Sequence, residues 1–245
     1  MSSMVSGWVR NAVAEAFGAF VIVFSTVVVT NLGWTPRALI YGFGVAGLVA
    51  ALGHVSGAHF NPAVTVAMFL GGHISGLGAA IYCVAQVAGG VLGGFTVLWT
   101  TNEAVVDNGT PVIADEPVNV SVGGAIAIEA IATMVVVLIV FGSIVDRRAP
   151  VSVYPFAIGL AITAGVMVSG PLAGGALNPV RGFGAAVAGG EWSGWPAWLI
   201  GPMAGGLAAW ALYEFVISDR NPPAKRRGMV FSEPMPPPPG PSLLP

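Results

Sequence analysis

Two asparagine–proline pairs are the residues in this chain best suited to act on a passing molecule. Asn61-Pro62 and Asn178-Pro179 lie 117 residues apart, and each opens an apolar run that closes on a double glycine, Gly71-Gly72 and Gly189-Gly190. Asn as N-cap, Pro at the first helical position and Gly after the last turn spell a short helix over 61–70 and again over 178–188. An asparagine amide at such a cap can also donate a hydrogen bond to a water oxygen moving past it. Three residues beyond Asn178 stands Arg181, the single charge between Ala149 and Gly190. Glu15 and Glu129 are carboxylates set inside apolar runs, 114 residues apart. These groups offer hydrogen bonds and charge to a solute rather than a nucleophile or a catalytic centre, so the chain does not read as an enzyme. The single cysteine, Cys83, forms no zinc-spaced cluster with the histidines and reads as a packed thiol, so neither metal nor other cofactor is expected.

What must position these residues is a membrane bundle. Of 245 residues, 55% are hydrophobic and 8% charged, with a mean hydropathy of +0.82, against about 25% charged in an ordinary soluble domain. Nine basic and eleven acidic residues give a net charge of −2, which leaves no basic surface for nucleic acid. Apolar stretches of spanning length fall at 11–31, 37–56, 76–99, 121–145, 152–171 and 194–217. The apolar stretch after Arg10 is too long for a cleaved signal and reads as the first span. The 65 uncharged residues from Ala38 to Asn102 hold two spans and a surplus, and that surplus contains Asn61-Pro62. A ten-residue helix rises about 15 Å, half the roughly 30 Å hydrocarbon core, so each Asn-Pro segment reads as a re-entrant half-helix.

Six spans put both termini on one side. Arg10, Arg147, Arg148, Arg220, Lys225, Arg226 and Arg227 share one face, whereas the opposite face has Arg37; the basic face is expected to be cytoplasmic. The 117-residue offset of the Asn-Pro pairs, the 114 of the glutamates and the 116 between Gly89 and Gly205 mark a tandem repeat. Residues 1–115 form the first copy, 116–217 the second and 218–245 a basic, proline-rich tail with no capacity for a core. Three spans per copy is an odd number, so the copies enter inverted and one half-helix comes from each side, meeting near the midplane. Each helix N-terminus carries about half a positive charge, and two facing one another make a barrier to cations at the centre. Both Asn can be read as caps alone; duplication within uncharged re-entrant stretches favours the second role.

The segments Ser56-Gly57-Ala58-His59-Phe60-Asn61-Pro62-Ala63-Val64-Thr65 and Gly174-Gly175-Ala176-Leu177-Asn178-Pro179-Val180-Arg181 resemble the two pore signatures of the aquaporin, or major intrinsic protein, family. The resemblance covers about residues 8–217, and Val145–Pro150 is similar to prokaryotic members. It implies an all-α membrane protein with six transmembrane helices, two re-entrant half-helices and inverted three-helix repeats. It implies a passive channel for water or small neutral solutes, a homotetramer with one pore per subunit, and a plasma-membrane location. The pore motifs are then Asn61, Pro62, Ala63 and Asn178, Pro179, Val180, where Val180 replaces the usual alanine and adds bulk beside the constriction.

Carried over by position, the outer selectivity filter is Tyr41, Val166, Gly175 and Arg181. Strict water channels of the family place a histidine where this chain has Val166, which implies a wider and less polar opening. Glycerol-conducting members follow the arginine with aspartate, whereas Gly182 stands here, which argues against an efficient polyol channel. The runner-up function is nonetheless a facilitator for glycerol, ammonia, hydrogen peroxide or a similar solute. From other classes, a proton-driven transporter would use Glu15 and Glu129, and a scaffold would conduct nothing; paired boxes favour the channel. Glu15 and Glu129 are expected to hold the re-entrant loops, the family role, because an intramembrane carboxylate and unpaired loop N–H groups each need partners. His59, with His54 and His73, reads as a loop hydrogen-bonding residue rather than a pH gate. Glycine clusters such as Gly89-Gly90 and Gly205-Gly206 mark close helix crossings in lipid. The link from Thr100 to Val120 reads as a solvated acidic loop.

Overall fold

The computed structural model describes residues 2–146 and 153–218. Arg147, Arg148, Arg220, Lys225, Arg226, Arg227, the proline-rich tail after Ser218 and the end of the Val145–Pro150 stretch lie outside those residues. The first repeat comprises α1 (Ser2–Val28), α2 (Trp34–Ser56), the short α3 (Pro62–Leu70) and α4 (Gly76–Thr100). A further short helix, α5 (Glu103–Gly109), lies in the link. The second repeat comprises α6 (Val122–Val140, extended by a π turn to Val145), α7 (Tyr154–Ala173), the short α8 (Pro179–Gly189) and α9 (Gly201–Leu212). π turns at Pro196–Ile200 and Tyr213–Ile217 lengthen α9 at both ends, and the six long helices are apolar enough to cross a membrane. Their ends fall within a few residues of those read from hydropathy.

Local chemistry sets the boundaries. Ser75 and Ser121 accept from the N–H groups of Gly78 and Gly124, both at 3.1 Å, and so cap α4 and α6. Gly57 and Gly174 stop α2 and α7 in the left-handed region, at φ +88° and +91°, which glycine adopts without steric cost. These two glycines turn the chain back into the bundle towards α3 and α8.

The packing repeats like the sequence. α1 lies on α4 as α6 lies on α9; α8 lies on α4 as α3 lies on α9; α2 and α7 cross one another. Glycine makes these approaches possible. A Cβ at Gly42 would overlap Thr163 and the Gly159 carbonyl; one at Gly89 would strike the Ala16 carbonyl; and one at Gly205 would strike that of Ala130. In lipid, where apolar side chains gain little by leaving the solvent, such close backbone contact supplies much of the association energy. The outward faces carry large apolar side chains such as Phe17, Leu77, Val84, Trp99, Leu160 and Val216, the surface a bilayer solvates.

The link between repeats departs from a merely solvated loop. Asn102 caps α5 by accepting from the Val105 N–H at 3.2 Å. The chain then crosses the end of α7, where the Ala114 N–H donates to the Leu172 carbonyl at 3.1 Å. Pro111 sits so close to Gly174 that a Cβ there would lie 2.6 Å from the proline ring. Glu103, Asp107, Asp115 and Glu116 make this segment acidic, but its backbone covers the second re-entrant loop.

Candidate functional site

The centre of the bundle is built by the two asparagines. Each caps its own half-helix: Asn61 Oδ1 accepts from the Ala63 N–H and Asn178 Oδ1 from the Val180 N–H, both at 2.9 Å. Each amide nitrogen also crosses to the opposite loop. Asn61 Nδ2 donates to the Leu177 carbonyl at 2.8 Å, and Asn178 Nδ2 donates to the Phe60 carbonyl at 2.9 Å. An amide NH2 has two donors, so one N–H on each asparagine remains for a molecule at the centre. α3 and α8 thus point their N-termini at one another from opposite sides, and their dipoles place positive potential between them.

The loops leading into the half-helices carry left-handed residues that are not glycine. Ala58, Phe60 and Leu177 have φ of 53°, 51° and 54°, and Gly175 has 62°. Buried carboxylates hold these turns. Glu15 Oε1 accepts from Ser56 Oγ at 2.6 Å and the His59 N–H at 3.0 Å, while Oε2 accepts from the Phe60 N–H at 2.6 Å and Gln86 Nε2 at 2.7 Å. Glu129 accepts from the Ala176 N–H at 3.0 Å and the Leu177 N–H at 2.8 Å. His59 lies edge-on to Tyr82, with Nδ1 3.2 Å from Thr65 Oγ1. Ser56 and Thr65, the ends of the first signature, belong to this network, as do Gln86 and Tyr82, which no motif singles out in the sequence.

Around the other end, Arg181 is fully buried, and its Nη1 donates to the Gly174 carbonyl at 3.3 Å. Its Nε and Nη2 find no protein acceptor among the described residues. Tyr41 donates to the Ala176 carbonyl at 3.4 Å, and Gly175 lies against Val166, a Cβ there standing 3.2 Å from Val166 Cγ1. Tyr41, Val166, Gly175 and Arg181 therefore belong to one neighbourhood. Gly182 is required by packing: a Cβ would fall 2.5 Å from the Trp198 ring, so an aspartate does not fit there with Trp198 in place. Val180 turns its side chain towards Gly90, where a Cβ on the glycine would overlap Val180 Cγ1. The extra bulk of valine over alanine is taken up by the α4 crossing.

Two cavities flank this neighbourhood. The inner one, about 30 Å³, is lined on one wall by aliphatic side chains such as Val45, Val49, Val136 and Ile162, and on the other by the loop from Gly57 to Asn61. That volume holds about two waters, and Tyr41 is among the residues that line it. The outer one, about 260 Å³, is lined by polar groups that include Asn31, Arg37, Asn108 and Thr110, and by Gly174. No group of His, Cys, Asp and Glu among the described residues has the geometry of a metal site.

A sequence model of the family described as Major intrinsic protein matches residues 2–213. Aquaporin TIP4-4 of Zea mays is 34% identical over 226 residues, covering 85% of this chain and 87% of that protein. Aquaporin Z of Photorhabdus laumondii is 30% identical over 234 residues, covering 86% and 99%. Among solved structures, the aquaglyceroporin from Plasmodium falciparum superposes with a TM-score of 0.73 at 24% identity, over 86% of this chain and 97% of that one.

Proposed function

From the premise that this chain belongs to the major intrinsic protein family, and is a multi-pass membrane channel for water or small solutes, we propose that water is the solute it passes best. The observation that carries this reading is the pair of opposed half-helices latched by Asn61 and Asn178. A water oxygen at the centre accepts the remaining amide N–H of each asparagine. Its own hydrogens then point away along the pore, which breaks any continuous chain for proton transfer, while the facing dipoles repel cations. The filter is Tyr41, Val166, Gly175 and Arg181. Arg181 offers the permeant oxygen its Nε and Nη2 donors, and its charge adds to cation exclusion. The small inner cavity supports passage of water, and the packing of Gly182 under Trp198 supports the departure from the polyol pattern.

The repeats divide at about residue 115, Glu15, Glu129 and His59 serve the loops, and the protein assembles as a homotetramer in the plasma membrane with both termini cytoplasmic. Arg10 near the start of α1 and Arg37 near the start of α2 lie on opposite faces of the bundle, which supports that orientation together with the basic residues of the links. A second reading, transport of glycerol or another small neutral solute, is favoured by the apolar Val166 and the small Gly175 in the filter.

Stopped-flow light scattering on proteoliposomes separates the two. Fast shrinkage in an impermeant osmolyte with little re-swelling in glycerol is the expected result, with Arg181→Ala raising glycerol entry. Fast glycerol re-swelling in the unaltered protein would make the solute reading primary, and rates equal to empty vesicles in both would overturn the channel reading.

A further inference from the structure

We propose that Arg37 is a second specificity-determining cation of the pore, one helical turn outside Tyr41, so that a cation entering the outer mouth meets two guanidinium groups in succession. The inference rests on the channel reading and adds to it a residue that no pore signature contains.

Arg37 lies four residues before Tyr41 on α2, which puts both side chains on one face of the helix, Arg37 nearer the outer end. It is 5% exposed, at a place where a lysine or arginine in lipid would snorkel outward. Instead its guanidinium is fixed beside the outer cavity. It stacks 4.5 Å from the centre of the Trp34 ring, and Nη2 donates to the Asn108 carbonyl at 3.3 Å. That carbonyl also accepts from Thr30 Oγ1 at 2.7 Å, which holds the α5 end of the link over the mouth. Arg37 Nε is buried with no protein acceptor among the described residues.

The cavity it lines, about 260 Å³, is lined by Gly174 as well, and the Gly174 carbonyl is the acceptor for Arg181. No carboxylate among the described residues lines that cavity, so the Arg37 charge faces it without a counter-ion among the lining residues. Two like charges are therefore held facing one path in a region of low dielectric. Aromatic stacking and loop carbonyls carry the cost of keeping them there. A monovalent cation in the cavity feels both, and loss of one unit charge a few ångströms away changes its occupancy by about tenfold or more.

The test reads the potential at the mouth directly. In a Cys83→Ser background, Asn31→Cys places one thiol on the exposed rim of the cavity, and its modification rates by an anionic and a cationic methanethiosulfonate are compared in proteoliposomes. Arg37→Gln is expected to shift the anionic-to-cationic rate ratio by about tenfold towards the cation, while Arg37→Lys, which keeps the charge and loses the planar fork, shifts it less than about twofold. A ratio unmoved by Arg37→Gln, or moved equally by Arg37→Lys, overturns the proposal and leaves Arg37 as an anchor for the Asn108 loop. Sodium influx in the same vesicles gives the functional arm. Arg37→Gln combined with Arg181→Ala is expected to leak at least about fivefold more than Arg181→Ala alone, and equal leaks would overturn the exclusion role. Water permeability is read separately in these vesicles; its absence in the unaltered protein would defeat the channel reading without touching the thiol ratio.

Discussion

The two re-entrant segments have nearly one backbone and two different chemistries. Gly57 and Gly174, Ala58 and Gly175, Phe60 and Leu177, and Asn61 and Asn178 match in dihedral angle pair by pair. The side chains around them do not match. Each carboxylate accepts two loop N–H groups, but Glu15 accepts Ser56 Oγ and the Gln86 amide of α4 as well, four hydrogen bonds against two at Glu129. The second instead buries Arg181 and packs Gly182 against Trp198. The backbone is shared and the polar support is not: the first carboxylate binds side chains as well as loop N–H groups, whereas beside the second the Arg181 Nε and Nη2 have no acceptor among the described residues.

The sharpest way to break the correspondence is at the half-helix crossings. Gly184 of α8 occupies the place that Ala67 holds in α3. A Cβ at Gly184 would fall 2.6 Å from the Gly90 carbonyl carbon, backbone against backbone, and nothing nearby can yield. Gly184→Leu is expected to abolish recovery of folded protein in size-exclusion chromatography, whereas Ala67→Leu, overpacking a buried alanine against side chains, costs about 1–3 kcal/mol and still yields folded protein. Equal loss in both would show that the two crossings are equally tight.

A step down in size, the glutamates measure the difference in polar support. Hydrogen bonds to charged groups contribute about 1.5–3 kcal/mol each, so Glu15→Ala should lower stability by about 6 kcal/mol or more and Glu129→Ala by about 3–6 kcal/mol. Thermal unfolding in detergent, followed by tryptophan fluorescence, reads both. The reverse order would mean that Arg181 depends on Glu129 more than the loop does.

The smallest effect comes from the left-handed pair. Ala58→Gly should stabilise by about 1 kcal/mol by removing strain at φ 53°, and Gly175→Ala should destabilise by about 1–2 kcal/mol at φ 62°. A Cβ at Gly175 also stands 3.0 Å from Gly170 Cα, so a bulky Gly175→Phe carries a folding cost as well as a block of the filter. Chemical denaturation of the two variants side by side would show whether the shifts have opposite signs.

Much of this was legible in the sequence because the signals are local. Asn, Pro and Gly at fixed spacing announce α3 and α8, and uncharged length announces the six spans. Arg181 and the glutamates stand out because charge is rare in such runs. The remainder depends on contacts between distant residues. Phe60 and Leu177 adopt left-handed backbones against their own preference, because N–H bonds to carboxylates more than 40 residues upstream hold them there. Gln86 and Tyr82 look like ordinary members of an apolar helix until the fold brings Glu15 and Ser56 to them. Arg37 reads as one basic residue at a helix start, and only the fold buries it beside Trp34 and Asn108. In sequence the link reads as a solvated acidic loop, and only the structure shows Asn102 capping α5 within it.

The reciprocal amide bonds at the centre also set a schedule for biosynthesis. The donor to the Phe60 carbonyl is Asn178 and the acceptor for the Asn61 amide is the Leu177 carbonyl, so the first half-helix cannot finish docking when its own repeat is complete. The 117 residues between the asparagines take roughly 6–23 s to synthesise at about 5–20 residues per second. During that interval the Asn61 amide nitrogen lacks its acceptor across the bundle, and the loop is kept in shape by the first repeat's own network of Glu15, Gln86, Ser56 and Tyr82. The denser polar network of the first repeat is thus what a segment needs if it is made first and must wait for its counterpart.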